Sequence, residues 1–343
     1  MAEPFPAAVD FLRDPASHGL ASGPVELIET HMSWVFLAGE LAYKLKKPVR
    51  SDELDFGSVE ARCHFCHEEL QLNRRLAPDV YLAVDTLSVD AAGRLHLGTD
   101  GERVDCVVRM RRLPEQQMLS HLLRQRQADA GVMERIAARI AEFHRSLPEV
   151  SPDPHGWRSA LALQVLRNRG ALLAHSSLLP AERVQRLCDA QLGFIEARAD
   201  WFAERIREGH IVEGHGDLRA EHVFTGEYGT GAIDCLEFSR ALRTLDTADD
   251  IGFLALDCER LQAAGPAEAL LHAYWQRMPG RPPPALLHFY QALRACVRAR
   301  LSISHLDEAA YRHSPAWARS ARTWLQLSQR HQDAIRSTME PPL

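Results

Sequence analysis

The sequence predicts an α+β fold of two lobes, a small antiparallel β-rich lobe followed by a larger, mostly helical one. Three observations predict it. Short β-rich runs separated by tight turns fill the first third of the chain; helical periodicity dominates after Met110; and an irregular centre rich in Gly, His and Asp, Val212 to Asp246, interrupts the helices. The 343 residues suffice for one large or two ordinary domains, each with its own core. The expected divisions are an N-terminal arm at 1–24, a β-rich lobe at 25–112 and a helical lobe at 113–343, with the boundary near Arg111 to Pro114.

Taken in order, a short helix at Ala7 to Arg13 leads into a loop rich in Pro, Ser and Gly. Val25 to Thr30, Trp34 to Ala38 and Leu41 to Val49 read as three strands, the last two joined by a Gly39-Glu40 turn, the pattern of antiparallel hairpins. From Ser58 to Leu76 the period becomes helical, with Phe65, Leu72 and Leu76 on one side and Pro78 as the stop. Strands return at Tyr81 to Ser88, Leu95 to Leu97 and Asp105 to Met110. Beyond the lobe boundary, Ala130 to Leu147 carries Val132, Ile136 and Ile140 at i, i+4, i+8, an amphipathic helix. Long helices fill Trp157 to Glu208 and resume from Thr247, broken at Pro279 to Pro284.

Bulk properties narrow the function. Apolar residues make up 46% and charged residues 25%, ordinary for a globular chain. The formal net charge of −6 argues against a nucleic-acid partner, which favours a basic surplus. No apolar run approaches the roughly 20 residues that span a bilayer. The start of the chain, with Glu3, Asp10 and Asp14, lacks a signal pattern, so no membrane partner and a cytoplasmic location are expected, with all seven cysteines reduced. The string Cys63-His-Phe-Cys-His67 matches the haem-attachment pattern. Its place on the Ser58 to Leu76 helix, with no export signal and no second cysteine pair, argues against haem and zinc alike. The remaining cysteines, Cys106 among them, read as small core residues.

The stretch that carries chemistry is Glu213-Gly-His-Gly-Asp-Leu-Arg-Ala-Glu-His-Val-Phe224, followed twelve residues after His222 by Asp234 in Ile233-Asp-Cys-Leu-Glu-Phe238. Upstream stand Tyr43-Lys-Leu-Lys46 on a strand and Glu68-Glu69 on the following helix. In these motifs the chain resembles the aminoglycoside phosphotransferase family, over roughly Val25 to Arg260. It is similar to a poorly characterised bacterial group of that family, sometimes fused to a P-loop domain. No Gly-x-x-x-x-Gly-Lys-Ser/Thr stretch occurs here, so that domain is expected to be absent. The resemblance implies a protein-kinase-like two-lobed fold, with ATP and Mg²⁺ as cofactors and a small-molecule hydroxyl as phosphate acceptor.

The resemblance also implies roles, and each suits the chemistry, since phosphoryl transfer asks mainly for positioning and charge neutralisation. Asp217, beside the small Gly216, is the expected catalytic base, with Arg219 two residues on facing the transferred phosphate. Asp234 is the expected metal carboxylate. Lys44, preferred over Lys46, would hold the α/β-phosphates, steadied by Glu69 in preference to Glu68. Thr30 and Ser33 lie in the expected phosphate loop, and backbone groups near Met110 to Leu113 would meet adenine. His222 stands where the family pattern has Asn; imidazole is a softer donor than an amide oxygen and better suited to Mn²⁺. The phosphate loop Thr30-His-Met-Ser33 has no glycine.

Plainer readings apply to several neighbours. Lys46 and Lys47 read as solvated hairpin charges, His215 as a brace of the catalytic loop and His144 as a packed helix-end residue. Asp249 and Asp250 read as first-turn helix acids, Asp246 as a second brace of the loop, and Glu237 as either an extra metal neighbour or a surface acid. Glu182, Glu196, Asp200, Glu204, Asp257 and Glu259 are acids open to a polycationic acceptor. The principal expectation is an ATP-dependent small-molecule O-phosphotransferase. The alternatives are a kinase-like nucleotide- or ligand-binding module with weak catalysis, and AMP transfer to a protein.

Overall fold

The computed structural model describes residues 4–20, 23–51, 54–308 and 311–339. Glu3, part of the N-terminal loop (21–22) and the last four residues lie outside them. In chain order the elements are α1 (Pro4–Arg13), β1 (Glu26–Glu29), β2 (Ser33–Ala38), β3 (Leu41–Lys46), β4 (Arg50–Ser51), β5 (Leu54–Asp55), α2 (Val59–Asn73), β6 (Tyr81–Val89), β7 (Leu95–Leu97) and β8 (Glu102–Arg111). Then follow α3 (Leu119–Arg124), α4 (Ala130–Ser146), α5 (Pro154–Ala174), α6 (Ala181–Ala197), α7 (Ala199–Arg207), β9 (Ile211–Glu213), β10 (Val223–Gly226) and β11 (Gly229–Ala232). The chain closes with α8 (Arg240–Arg243), β12 (Thr244–Asp246), α9 (Thr247–Arg260), α10 (Ala264–Trp275), α11 (Pro284–Ser304) and α12 (Pro315–Met339). The predicted α+β class, β-rich first and helical after, is what the chain adopts. Two compact units result, one of residues 1–121 with 221–243, the other of 122–220 with 244–343.

The first unit is organised by a six-stranded antiparallel sheet in the order β1-β2-β3-β8-β6-β7. Alternation along β3 decides what each face holds. Tyr43 and Leu45 join a core with Ala8 and Leu12 of α1, Phe36 and Val107. Ala42 joins a core with Cys66 of α2, Tyr81, Val108 and Met110, so Lys44 and Lys46, two and four residues on, lie on the side of α2. Ser58 caps α2 by accepting from the amide of Ala61, and the helix ends at Asn73, five residues before Pro78. A buried ion pair, Arg62 Nε to Asp105 Oδ2 at 2.9 Å, ties α2 to β8.

A disulfide between Cys63 and Cys106 makes the same connection, which corrects the expectation that every cysteine is reduced. The other five cysteines are free thiols, all buried. No spacing rule pairs Cys63 with Cys106; only the packing of α2 on β8 brings their backbones to a Cα separation of 5.1 Å, within bridging reach.

The second unit has a helical core in which Val165, Leu187, Phe194, Phe202, Phe253, Phe289 and Trp324 pack together. Phe194 and Phe289 stack with ring centroids 4.8 Å apart. Its one feature essential to the site is the short pairing of β9 with β12, Thr244 opposite Glu213 and Asp246 opposite Ile211. That pairing sets the residues after β9 beside the first turn of α9, which is buried on nearly every side. Among the described residues, no helix is long and apolar enough to cross a membrane.

Candidate functional site

In the first unit the charged groups form a row of alternating sign. Lys44 Nζ donates to Glu69 Oε1 at 2.8 Å and to Asp234 Oδ1 at 2.6 Å. Lys46 Nζ donates to Glu69 Oε2 at 2.6 Å and to Glu237 Oε1. Of the two candidate glutamates, Glu69 thus meets Lys44, whereas Glu68 faces Arg243 at 3.9 Å. Lys46 is fully buried, which corrects its reading as a solvated hairpin charge; Lys47, paired with Glu29, is the hairpin charge. Glu237 is buried as well, not a surface acid, and pairs with Lys46. Period-two alternation along β3 already implies that Lys46 shares the face of Lys44.

Asp234 reaches this row through the β10–β11 hairpin, which pairs Val223 with Ala232; one step on, the Ile233 amide donates to the His222 carbonyl at 2.9 Å. His222 Nε2 then lies 3.6 Å from Asp234 Oδ2. Asp234 adopts a left-handed backbone, φ 64°, a conformation that Asp tolerates better than most residues but that costs on the order of 1 kcal/mol. Its surroundings hold it there. The Tyr81 hydroxyl accepts from the Asp234 amide at 3.3 Å, and Asn73 Oδ1 accepts from the Cys235 amide at 2.9 Å. Asn73 also donates to the Glu69 carbonyl at 2.9 Å, so the end of α2 pins the segment that α2's own glutamate serves. Neither Asn73 nor Tyr81 carries a sequence signal for this task.

The electrostatics follow from the pairing. Burial disfavours the charged form of Asp234, yet Lys44, then His222, hold the carboxyl well below the usual range. Burial likewise opposes Glu69, and Lys44 and Lys46 together outweigh it, keeping the group ionised. For Glu237 burial wins over Lys46 and raises the pKa. Lys44 resists burial through Asp234 and Glu69 and stays charged. One side of the row is open: the Asp234 side chain is 46% exposed and that of Lys44 14%.

The remaining predicted nucleotide residues of this unit lie in the β1–β2 turn, within β8 and just after it. Thr30 and Ser33 close the β1–β2 turn, where the Thr30 hydroxyl accepts from the Ser33 amide and donates to the Ser33 carbonyl, both at 3.0 Å. The hydroxyl is therefore engaged within its own turn. Met110 lies between Ala42 and Tyr81 in the sheet. Leu113, Val35, Leu37 and Ile233 are partly buried against the cluster containing Ala42 and Met110.

In the second unit, Asp217 and Arg219 meet each other. Arg219 Nε donates to Asp217 Oδ1 at 3.0 Å and Nη2 to Oδ2 at 2.8 Å. The loop that carries them is held from behind by Asp250. Its Oδ2 accepts from the His215 amide at 2.8 Å and its Oδ1 from the Gly216 amide at 3.2 Å. His144 Nε2 lies 3.2 Å from the same Oδ2, and the Tyr274 hydroxyl 2.6 Å from His144 Nδ1, so the ring bridges Tyr274 and Asp250. Burial would raise the pKa of Asp250, but His144 and the His215 amide outweigh it and lower it to about 2. Gly216, at φ 85°, makes the turn that presents both amides to one carboxylate.

Two further side chains finish the brace. Arg294 forks onto Asp249 at 2.7 Å and donates to the Gly216 carbonyl at 2.9 Å. Asp257 accepts from the Ala220 amide at 3.0 Å; fully buried, it is not an acid open to an acceptor. Bracing thus falls to Asp250 and not to Asp246, which caps α9 through the Ala248 amide and pairs with Arg205. The Asp-Asp signal at the start of α9 reads as a dipole effect from sequence, and only the β9–β12 pairing converts it into a loop clamp.

No family profile matches the chain. It is 35% identical over 291 residues to uncharacterised proteins of Mycobacterium tuberculosis and Mycobacterium bovis, covering 83% of this chain and 56% of theirs. The chain therefore spans about half the length of the curated relatives it matches. Among solved structures it is similar to choline kinase LicA from Streptococcus pneumoniae, with a TM-score of 0.55, 14% identity, and coverage of 96% of this chain and 99% of that one. A choline/ethanolamine kinase family protein from Mesorhizobium loti gives a TM-score of 0.51 at 16% identity, covering 97% and 99%. A thermostable mutant of an aminoglycoside phosphotransferase, in ternary complex with ADP and hygromycin B, gives 0.51 at 12% identity, covering 94% and 96%. The chain has the protein-kinase-like fold of the aminoglycoside phosphotransferases and choline kinases, as its sequence resemblance implies.

Proposed function

We propose that the protein is an ATP-dependent phosphotransferase that moves the γ-phosphate of ATP to a hydroxyl of a small molecule. The observation that carries this reading is Lys44 held between Glu69 and Asp234, with His222 on the other oxygen of Asp234. A lysine anchored by a buried glutamate beside a half-open ionised carboxylate suits a nucleotide's phosphates and their metal ion. The complex of a similarly folded phosphotransferase with ADP supports a nucleotide here.

The donor set fits a divalent cation: Asp234 stays ionised and His222 supplies an imidazole nitrogen, a pair that serves Mg²⁺ and suits Mn²⁺ better. That ion would neutralise charge on the phosphates. Lys44 would exchange Asp234 for phosphate oxygens while Glu69 keeps it oriented. The apolar surface of Val35, Leu37, Leu113 and Ile233 would take the adenine, with backbone groups from Met110 to Leu113 reading its edge. Asp217 would orient the acceptor hydroxyl and receive its proton, and Arg219 would set the Asp217 carboxylate and then meet the transferred phosphate.

A second reading, a kinase-like module that binds nucleotide with little turnover, draws on the glycine-free turn in which Thr30 is closed on Ser33. Calorimetry with a non-hydrolysable ATP analogue, run without metal, with Mg²⁺ and with Mn²⁺, tests the site. Metal-dependent binding, stronger with Mn²⁺, is expected; absence of binding in all three arms refutes the nucleotide role of Lys44 and Asp234. Asp217→Ala is expected to retain that binding and to lower ATP turnover by about 10²- to 10⁴-fold. Binding without turnover in the unaltered protein, whichever ion is supplied, would select the second reading.

A further inference from the structure

We propose that Lys46 is a positioning residue for the nucleotide lysine, holding Glu69 in the orientation that presents Lys44 to phosphate. The inference rests on the nucleotide-site reading above and adds to it a second lysine that the implied lysine–glutamate pair does not include.

Lys44 and Lys46 project from the same face of β3, and each takes a different oxygen of one carboxylate, Oε1 for Lys44 and Oε2 for Lys46. Glu237 grips Lys46 from its far side, and the Phe56 ring lies 5.0 Å from the ammonium. Lys46 is thereby closed off from any ligand, whereas Lys44 has an open side and a partner, Asp234, that is itself open. The two lysines have different tasks: one is free to exchange partners, the other is fixed.

The fixed one matters because Lys44 must give up Asp234 to take phosphate. At that moment Glu69 is, among the described residues, the remaining hydrogen-bond partner that orients Lys44. Held only through Oε1, by Lys44 and by the longer contact of the Tyr81 hydroxyl at 3.5 Å, the carboxylate could rotate about that oxygen or swing with Lys44. Held also through Oε2 by an immobile lysine, it stays put, ionised, and able to keep Lys44 on line. A buried ion pair of this kind adds little net stability, since desolvation offsets the Coulomb attraction, so its geometric effect is the better account of its presence.

The test uses full-length protein and the fluorescent probe mant-ATP with Mg²⁺ or Mn²⁺, alongside competition by adenosine, which lacks phosphates. Lys46→Met alone takes from buried Glu237 its lysine partner and is expected to unfold more readily. The charge-balanced Lys46→Met/Glu237→Leu variant is the informative one, because apolar replacement of a whole buried pair is commonly tolerated. It is expected to melt near the unaltered protein and to bind adenosine equally, yet to bind mant-ATP at least tenfold more weakly. Lys46→Arg, which keeps the charge, is expected to restore part of that affinity. Unaltered mant-ATP affinity in the double variant would overturn the proposal, as would an equal loss of adenosine and mant-ATP binding, the mark of a general collapse. If the unaltered protein binds no mant-ATP with either ion, the nucleotide-site reading itself falls; if it binds and the double variant matches it, only the role of Lys46 does.

Discussion

The charged row of the first unit and the catalytic-type loop of the second hold acidic groups in opposite ways. In the row, side chain meets side chain: Asp234, Lys44, Glu69, Lys46 and Glu237 share partners, and the end at Asp234 is half exposed. In the loop, a buried side chain meets backbone: Asp250 takes the amides of His215 and Gly216, and Arg294 the Gly216 carbonyl. A half-exposed side-chain pair such as Lys44 with Asp234 can be exchanged for a ligand's charges at small cost. Backbone amides on a buried carboxylate cannot, because an unpartnered buried amide costs about 1–3 kcal/mol. The comparison teaches that the row has one exposed end, at Lys44 and Asp234, where a partner can be exchanged, while the loop is held from behind throughout.

The largest expected effect tests the fixed half. Asp250→Ala leaves the His215 and Gly216 amides and the His144 ring nitrogen without their common acceptor, and is expected to cost about 3–5 kcal/mol in denaturant unfolding. A loss below 1 kcal/mol would show that the loop does not depend on this carboxylate. Next comes the bond beneath the adaptable half. The Cys63–Cys106 disulfide joins residues 43 apart in sequence. Cys63→Ser/Cys106→Ser is expected to lower stability by roughly 2–4 kcal/mol, and a reducing agent should shift the melting temperature of the unaltered protein toward that of the variant. A melting temperature indifferent to reductant would refute the bond's contribution.

The smallest effect sharpens the comparison through pH. Asp250 has its pKa lowered from 3.8 to about 2 in the folded chain. A lowered acid stabilises the fold above its unfolded pKa, and that contribution drains away as the pH falls toward the folded value. Asp250 should therefore contribute about 2 kcal/mol at pH 5 and above, lost between roughly pH 4 and pH 2. Asp250→Asn is expected to flatten that part of the acid-unfolding curve. Glu237 acts with the opposite sign: with its pKa raised, it costs the fold stability once the pH rises through its folded value. Glu237→Gln should flatten that fall of stability with rising pH, and an unchanged slope of the stability profile above pH 5 would count against it.

Much of this was legible in the chain itself. The strand–helix–strand order, the Lys44 strand, Glu69 on the next helix, the His-Gly-Asp loop and Asp234 at fixed distance follow from periodicity and short motifs, because local spacing controls which face a residue occupies. Partners were not legible where they depend on packing of distant segments. Lys46 reads as a surface charge until α2 brings Glu69 over it and the segment after β11 brings Glu237. Cys63 reads as half of a Cys-x-x-Cys pair until the α2–β8 contact gives it Cys106.

By itself the sequence determined the fold class, since hydrophobic period and turn chemistry act over a few residues, and its short motifs carried the resemblance from which the site residues were expected. The tertiary structure alone decided which carboxylate answers which cation. That choice turns on burial, where a lone charge is so costly that each acid and each base must find its partner wherever in the sequence that partner lies.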